Sequence, residues 1–304
     1  MSVRMRLVES YLRRQPNTLR TPEAIQEALA KKPPRETPVP RSLRKRCEVK
    51  ESVVDGFPVT TLTPLRGGTG CQLIYLHGGA YVNGIVGAHW WLIGAIIKNT
   101  GATVIVPSYG LAPRYTAADA YPLLETVYAH AVADAPGAPI YLAGDSAGGA
   151  LALGLAIHLR DKALPEPAAL FLFSPWLDAS MSNPDAAALV KKDVMLDIPG
   201  MAWCGQQWAG DQDVRDPLIS PIFDTLEGLP PTFIYQGGHD ILLADVEKFA
   251  EKAKAAGLPL TVHIEPKGFH VYMGVVCAPE SRKVLRQLAA VMAKECPRSN
   301  EGQP

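Results

Sequence analysis

From about residue 46 onward, short apolar runs alternate with longer segments in which apolar residues recur at helical spacing. Runs such as residues 73–76 and 103–106 do not alternate between polar and apolar side chains, which is typical of strands buried on both faces. Strands that alternate with helices predict an α/β fold, with a mostly parallel sheet flanked by helices. The predicted strands are residues 47–53, 59–63, 72–76, 103–107, 140–143, 168–173, 232–236 and 260–264. The predicted helices are residues 89–98, 117–132, 147–160, 245–256 and 280–295.

Two segments do not follow this alternation. Residues 1–45 predict one or two helices and then a proline-rich tether, because Thr21 and Pro22 form a helix-start signal and Pro33, Pro34, Pro38 and Pro40 oppose helix formation. Residues 178–215 contain no clear strand but many apolar residues, which favours a cap insertion, although an ordinary packed helical excursion fits equally well. The predicted catalytic domain then comprises residues 46–177 and 216–296.

The charge balance limits the classes of partner. The 304 residues include 30 Lys or Arg and 30 Asp or Glu, so no general attraction to nucleic acid is expected. The first fifty residues are nevertheless basic, which would suit a surface drawn to anionic lipid or the solvated face of an N-terminal extension. We favour the solvated face, because the basic residues are scattered.

Cysteine usage and apolar run lengths bear on location. Five cysteines without zinc-site spacing favour free thiols in a reducing cytoplasm. The N-terminus has no apolar segment typical of a signal peptide, and no apolar run reaches the roughly 18 residues of a membrane span, so stable membrane insertion is not expected. The sequence has no Walker loop, dinucleotide fingerprint or HExxH motif, and we expect no cofactor and no metal.

A nucleophile motif follows the predicted strand 140–143. The sequence Gly144-Asp-Ser146-Ala-Gly148 matches G-x-S-x-G and leads directly into a helical pattern, which is the context this motif requires. The two glycines relieve crowding across a sharp turn that exposes the serine hydroxyl. Ser146 is therefore the predicted nucleophile.

A second glycine motif, His77-Gly78-Gly79-Ala80, follows the predicted strand 72–76. Backbone N–H groups in such a loop can stabilise the negative charge of a tetrahedral intermediate. We predict an oxyanion hole formed by the N–H groups of Gly78, Gly79 and Ala147, and we expect His77 to order the loop.

The catalytic base and acid that would act with Ser146 are expected in loops that directly follow strands. His77, His89, His130, His158 and His263 lie in the glycine loop, in helical patterns or inside a strand, which favours structural roles. Of the two remaining histidines, His239 and His270, the second follows the last strand, and Asp240 follows the strand before it. The chain order Ser146, Asp240, His270 is the order found in α/β-hydrolases. Asp245 and Glu265 remain alternatives for the acid.

Several motifs together resemble the bacterial hormone-sensitive-lipase-like esterases, the family IV lipolytic enzymes. Besides the two glycine motifs, these are Tyr109-Gly-Leu-Ala-Pro113, Ser174-Pro-Trp-Leu-Asp178, Asp216-Pro-Leu-Ile-Ser-Pro221 and Gly238-His-Asp-Ile-Leu242. The resemblance covers residues 45–295 and implies an α/β-hydrolase fold with an eight-stranded sheet and a helical cap. It also implies that homodimers are common. The sequence departs from the family where Ala80 replaces the third glycine of HGGG.

These observations predict a serine carboxylesterase that hydrolyses short- to medium-chain acyl esters through an acyl-enzyme intermediate. Tyr81, Trp203 and Trp208 are predicted to line an apolar substrate pocket, although plain packing explains each of them equally well. The same residues would also suit an amidase, an arylformamidase or a small-molecule deacetylase. A non-catalytic binding module and a lipase at a membrane surface are further alternatives.

Overall fold

One eight-stranded sheet forms the centre of the computed structural model, which describes residues 1–31 and 36–296. The strands are β1 Cys47–Val54, β2 Phe57–Pro64, β3 Gln72–Leu76, β4 Thr103–Pro107, β5 Ile140–Asp145, β6 Ala169–Phe173, β7 Thr232–Gly237 and β8 Leu260–Glu265. Their spatial order is β1-β2-β4-β3-β5-β6-β7-β8. β2 runs antiparallel to both of its neighbours and the remaining pairs are parallel, so the predicted mostly parallel sheet is confirmed.

Helices cover both faces of this sheet. They are α1 Val3–Leu12, α2 Pro22–Lys31, α3 Arg41–Arg44, α4 Gly87–Thr100, α5 Ala117–Asp134, α6 Ala147–Asp161, α7 Ile198–Ala209, α8 Leu243–Ala256 and α9 Pro279–Met292. Strands β3, β5 and β6 are buried along their whole length, as their uninterrupted apolar character predicts. The two faces of the sheet contact separate apolar clusters, one with α5 and α6 and one with α4 and α9.

The strand register aligns the ends that carry the motifs. Leu76 at the end of β3 pairs with Gly144 of β5, and Asp145 pairs with Phe173 at the end of β6. The ends of β7 and β8 pair in the same way, Gly237 with Glu265. Because parallel strands end at one edge of a sheet, the loops after β3, β5, β7 and β8 meet there.

The N-terminal segment contacts the 178–215 insertion. A Cβ atom added to Gly200 of α7 would lie 1.9 Å from the carbonyl oxygen of Leu19, so the two backbones touch. Arg20 Nε lies 3.7 Å from Asp197 Oδ2, at the start of α7. Of the predicted proline tether, Pro33 and Pro34 lie outside the described residues.

The cysteines differ from the prediction. Cys71 and Cys296 form a disulfide with their Cα atoms 6.1 Å apart, so the prediction of five free thiols is wrong for these two. Cys47, Cys204 and Cys277 are free. The sequence could not predict the pair, because 225 residues separate the two cysteines and only the packing of the C-terminal segment brings them together. Within residues 1–31 and 36–296, no helix has both the length and the apolar character needed to cross a bilayer.

Candidate active site

Ser146 lies at the sharp turn between β5 and α6. Its backbone has φ 54° and ψ −122°, a conformation that L-residues rarely adopt, and its N–H donates to Phe173 O at 2.8 Å. Added Cβ atoms would lie 2.2 Å from Gly148 O at Gly144, and 2.1 Å from Leu76 O at Gly148. Backbone atoms occupy the space that side chains would need, so this turn requires both glycines.

Asp240 and His270 are in direct contact. His270 Nδ1 donates to Asp240 Oδ2 at 2.9 Å, and the other oxygen of this fully buried carboxylate accepts from Leu242 N at 3.0 Å. Burial alone would lower the pKa of His270, but the carboxylates of Asp240, Asp193 and Asp145 together outweigh this effect and raise the pKa above its usual value. With Nδ1 donating to Asp240, Nε2 of the neutral ring is left as a proton acceptor.

The alternative acids do not contact His270. Asp245 accepts from Asn183 Nδ2 at 2.9 Å, and burial raises its pKa to about 6. Glu265 ends β8, and its carbonyl oxygen accepts from Gly238 N at 2.8 Å. Of the predicted carboxylates, the structure therefore brings only Asp240 to the imidazole among the residues it describes.

Ser146 and His270 line one cavity of about 630 Å³. Within the described parts of the chain no hydrogen bond joins the Ser146 hydroxyl to the imidazole, and such bonds often form only once substrate is bound. The cavity walls are mainly apolar and come from the N-terminal segment, the start of α4, the insertion and the loop after β8. They include Val8, Tyr11, Leu12, Leu19, Val86, Trp91, Leu92, Met195, Leu196, Val275 and Val276.

The predicted oxyanion donors differ in their availability. Gly78 N–H donates to the Asp145 carboxylate at 3.1 Å, so the assignment of Gly78 to the oxyanion hole is wrong. Neither Gly79 N–H nor Ala147 N–H has an acceptor within residues 1–31 and 36–296, and both residues lie beside Ser146, Gly79 in the same cavity wall. The N–H of Ala80 is unpaired in the same described ranges, in a residue with φ 53°.

A buried polar network surrounds Asp145, the residue before the nucleophile. Tyr75 Oη donates to Asp145 Oδ1 at 2.6 Å, and His89 Nε2 lies 3.3 Å from Asp145 Oδ2. Val86 N donates to His89 Nδ1 at 2.9 Å, which places the ring proton on Nε2, facing the carboxylate. Burial alone would raise the pKa of Asp145, but His89, Tyr75 and the Gly78 N–H lower it to about 2.

The geometry of this site and the sheet order agree with comparisons with known proteins. The model of a family described as having the alpha/beta hydrolase fold matches residues 73–274. The chain belongs to the α/β-hydrolase family. An acetyl-hydrolase from Streptomyces hygroscopicus is 32% identical over 229 residues, covering 73% of this chain and 75% of the relative. An esterase from Acinetobacter venetianus is 33% identical over 229 residues, covering 72% and 73%.

Solved structures extend the similarity to nearly the whole hydrolase. An esterase/lipase from an uncultured bacterium superimposes with a TM-score of 0.82 at 26% identity, covering 97% of this chain and 99% of that chain. An esterase of the bacterial hormone-sensitive lipase family shares the fold, with a TM-score of 0.81 at 24% identity and the same coverage. The predicted α/β-hydrolase fold is confirmed.

The three aromatic residues predicted to bind substrate lie elsewhere in the hydrolase. Tyr81 and Trp208 are buried and stack on each other with ring centroids 4.2 Å apart, and Tyr81 also packs against Trp176. Trp203 is half-buried against the same apolar cluster. None of the three predicted residues lines the cavity that contains Ser146, so the prediction is wrong for this cavity. Large aromatic rings are stabilised more by burial and stacking in the core than by lining an open cavity.

His77 and Ser174 hold loops of the site in place. His77 stacks on Tyr109 with ring centroids 4.5 Å apart, its Nδ1 donates to Gly78 O at 2.7 Å, and burial lowers its pKa to about 4, which fits the predicted loop-ordering role. Ser174 begins one of the motifs shared with the resembled family, which assigns it no role, and its hydroxyl accepts from Val271 N at 3.0 Å. This bond holds the residue after His270 against the end of β6.

Proposed function

We propose that this hydrolase is a serine carboxylesterase that cleaves short- to medium-chain acyl esters, with Ser146 as nucleophile, His270 as base and Asp240 as acid. The observation that carries the proposal is the 2.9 Å bond between His270 and Asp240, beside a cavity that also contains Ser146 on its strained turn. Names of relatives such as esterase, acetyl-hydrolase and triacylglycerol lipase support an ester as the substrate.

In the acylation step, His270 Nε2 takes the hydroxyl proton while Ser146 Oγ attacks the ester carbonyl. Asp240 holds the ring in the tautomer that leaves Nε2 free and stabilises the imidazolium that forms. The proton then passes from Nε2 to the departing alcohol. In deacylation His270 Nε2 removes a proton from water, which attacks the acyl carbon. As the bond between this carbon and Ser146 Oγ breaks, His270 returns the proton to Oγ and the carboxylic acid product leaves.

Backbone donors would stabilise both tetrahedral intermediates. We assign this role to the N–H groups of Gly79 and Ala147, and Ala80 takes the place predicted for Gly78, whose N–H donates to Asp145. Each donor is worth about 3–4 kcal/mol in the transition state. Ala147 is also the first residue of α6, whose N-terminal dipole favours negative charge.

Residues 1–45 and 178–215 form the cap in this proposal, and residues 46–177 and 216–296 form the catalytic domain. The support is that Leu12 and Leu19 on one side, and Met195 and Leu196 on the other, contribute to the walls of the cavity. A mainly apolar cavity of about 630 Å³ suits a short or medium acyl chain. Amide hydrolysis would use the same residues, so only rates separate the two activities.

The test is a series of nitrophenyl esters from acetate to laurate, with matching nitroanilides. We expect ester turnover to exceed amide turnover, and Ser146→Ala to lose activity by about a millionfold while remaining folded. Ser52→Ala is the matched control, because Ser52 lies on β1 and bonds Val59 O, away from the cavity. Faster turnover of the anilides would establish an amidase instead. Failure of an organophosphonate to label Ser146 would favour a binding module.

Location and assembly complete the proposal. We expect a cytoplasmic protein that forms homodimers, as the family resemblance suggests. Cell fractionation tests the location, and because a reducing compartment disfavours a bond such as Cys71–Cys296, recovery of the protein outside the cytoplasm would overturn this expectation. Sedimentation equilibrium tests whether the chain forms homodimers.

A further inference from the structure

Helix α1 presents an apolar stripe to solvent. Val3, Leu7 and Tyr11 follow one another at intervals of four residues, and their exposed fractions are 62%, 66% and 61%. Residues four apart lie on one face of a helix. The opposite face is already packed, because Met5 is fully buried and Val8 contacts the same apolar cluster. The stripe is therefore additional to the surface that attaches α1 to the protein.

The stripe continues to the opening of the active-site cavity. Tyr11 lines that cavity, and so do Val86 and Trp91 from the first turns of α4. Val86 is 45% exposed and Trp91 is 61% exposed. We call Val3, Leu7, Tyr11, Val86 and Trp91 the apolar rim. Contiguous exposed apolar surface next to a binding cavity commonly marks an interaction site.

Positive charge flanks the apolar rim on the side of α1. Arg6 and Arg14 are exposed, and neither side chain has a hydrogen bond or ion pair within residues 1–31 and 36–296. Arg13 pairs with Glu9 at 3.2 Å, and Glu9 is the one acidic residue of α1. The outward face of this helix thus combines apolar residues with arginines at its edges.

Positive charge also lies on the other side of the rim. Trp91 borders a second groove, of about 440 Å³, to which Arg46, Arg282 and Arg286 contribute. Among the described residues, no Asp or Glu lines this groove. Arginines therefore approach the rim from two directions, from α1 and from the surface formed by α9 and the segment before β1.

We propose that the apolar rim docks on an anionic phospholipid surface, from which ester substrates enter the cavity. Apolar side chains of a surface helix enter the boundary between head groups and acyl chains, while arginines at the helix edges contact phosphate. Tryptophan is enriched at this boundary. The proposal rests on the proposed esterase function for the fate of the substrate, but the docking itself does not require catalysis.

Charge favours lipid over a second copy of the chain as the partner of this face. In a two-fold dimer formed through α1, Arg6 and Arg14 of one copy would face the same residues of the other. Facing like charges oppose association, whereas an anionic surface attracts them. The rim is also next to the opening, so a docked lipid surface supplies substrate directly.

The experiment measures co-sedimentation of the full chain with vesicles of phosphatidylcholine alone and of equimolar phosphatidylcholine and phosphatidylglycerol. We expect binding to the anionic vesicles only, and loss of at least tenfold in binding for Val3→Glu combined with Leu7→Glu. The matched control is Val53→Glu, because Val53 is 71% exposed on β1 and lines neither the cavity nor the groove. Arg6→Gln and Arg14→Gln should each weaken binding by about fivefold.

Three outcomes overturn the proposal: no binding to anionic vesicles, equal loss in the Val53→Glu control, or a rim variant that changes the oligomeric mass while vesicle binding is unchanged. Val3 and Leu7 do not line the cavity, so their variants should hydrolyse nitrophenyl butyrate at the rate of the unmodified chain. Ser146→Ala should bind the anionic vesicles as the unmodified chain does, because docking does not require catalysis. In the unmodified chain, binding without hydrolysis would refute only the esterase, and hydrolysis without binding would refute only the docking.

Discussion

Asp193 joins the cap insertion to the loop that carries the catalytic acid. One oxygen of its carboxylate accepts from Met195 N at 2.8 Å and Leu196 N at 2.9 Å, and both of these residues line the cavity. The other oxygen accepts from Ile241 N at 2.9 Å, in the residue directly after Asp240. We therefore expect Asp193→Ala to alter the position of Asp240 as well as the cavity wall.

The expected loss of stability in Asp193→Ala follows from the three hydrogen bonds that its carboxylate accepts. A hydrogen bond to a charged group contributes about 1.5–3 kcal/mol to folding. Asp193 is half-buried, so water can replace part of the two local bonds, and the bond to Ile241 counts in full. We expect a loss of about 2–4 kcal/mol in the free energy of unfolding, which leaves the variant folded. Displacement of the acid loop by a fraction of an ångström should lower kcat by roughly ten- to a hundredfold.

The assay combines urea denaturation with kcat on nitrophenyl butyrate. Asp197→Ala is the matched control, because Asp197 belongs to the same insertion and caps Ile198 N at 2.9 Å, but it does not contact the acid loop. It should lose about 1 kcal/mol of stability and keep its kcat. If Asp193→Ala loses stability but keeps the kcat of the unmodified chain, as the control does, then Asp193 does not position the acid.

The charge of Asp193 also affects the pKa of His270. Burial, followed by the neighbouring Asp240 carboxylate, raises the pKa of Asp193 to about 6, so the group is mainly ionised at neutral pH. In that form it helps to raise the pKa of His270. Asp193→Asn should therefore move the acid limb of the kcat/KM profile to lower pH. A purely structural role would leave that limb in place.

Three further predictions concern the turn, the base and the buried network. Gly148→Ala should abolish activity and cost at least about 3 kcal/mol, because its Cβ would lie 2.1 Å from a backbone carbonyl, whereas Gly87→Ala, with open space, is the harmless control in thermal melts. Since the pKa of His270 is raised, kcat/KM should fall as pH drops from a point above 6.5, and Asp240→Asn should move that point lower; an unchanged limb would contradict the assignment. The folded pKa of Asp145, about 2, lies below its unfolded value, so ionised Asp145 stabilises the fold above pH 4, and this contribution is lost as pH falls toward 2. In urea titrations between these pH values, the free energy of unfolding of Asp145→Asn should therefore fall by about 2 kcal/mol less than that of the unmodified chain.

Features encoded locally were predictable from sequence. Uninterrupted apolar runs gave the buried strands, and the glycines around Ser146 gave the turn, because both depend on neighbours a few residues away. Asp240 and His270 followed from chain order once strands had been assigned. The occupied N–H of Gly78 was not predictable, since it depends on which way the side chain of Asp145 points. Stacking of Tyr81 on Trp208 likewise depends on packing between distant segments.

Helix α1 has one face in the cavity wall and one face exposed to solvent, so deleting it would change both. Val8, Tyr11 and Leu12 form part of the cavity wall, so deletion of the N-terminal segment would admit water to the Asp240–His270 pair as well as remove the exposed stripe. In a wetter site the attraction between carboxylate and imidazolium weakens, and activity on every ester would fall, soluble or not. A truncated chain therefore cannot separate docking from catalysis. Substitutions at the outward-facing Val3 and Leu7 can, because they change the surface and leave the wall intact.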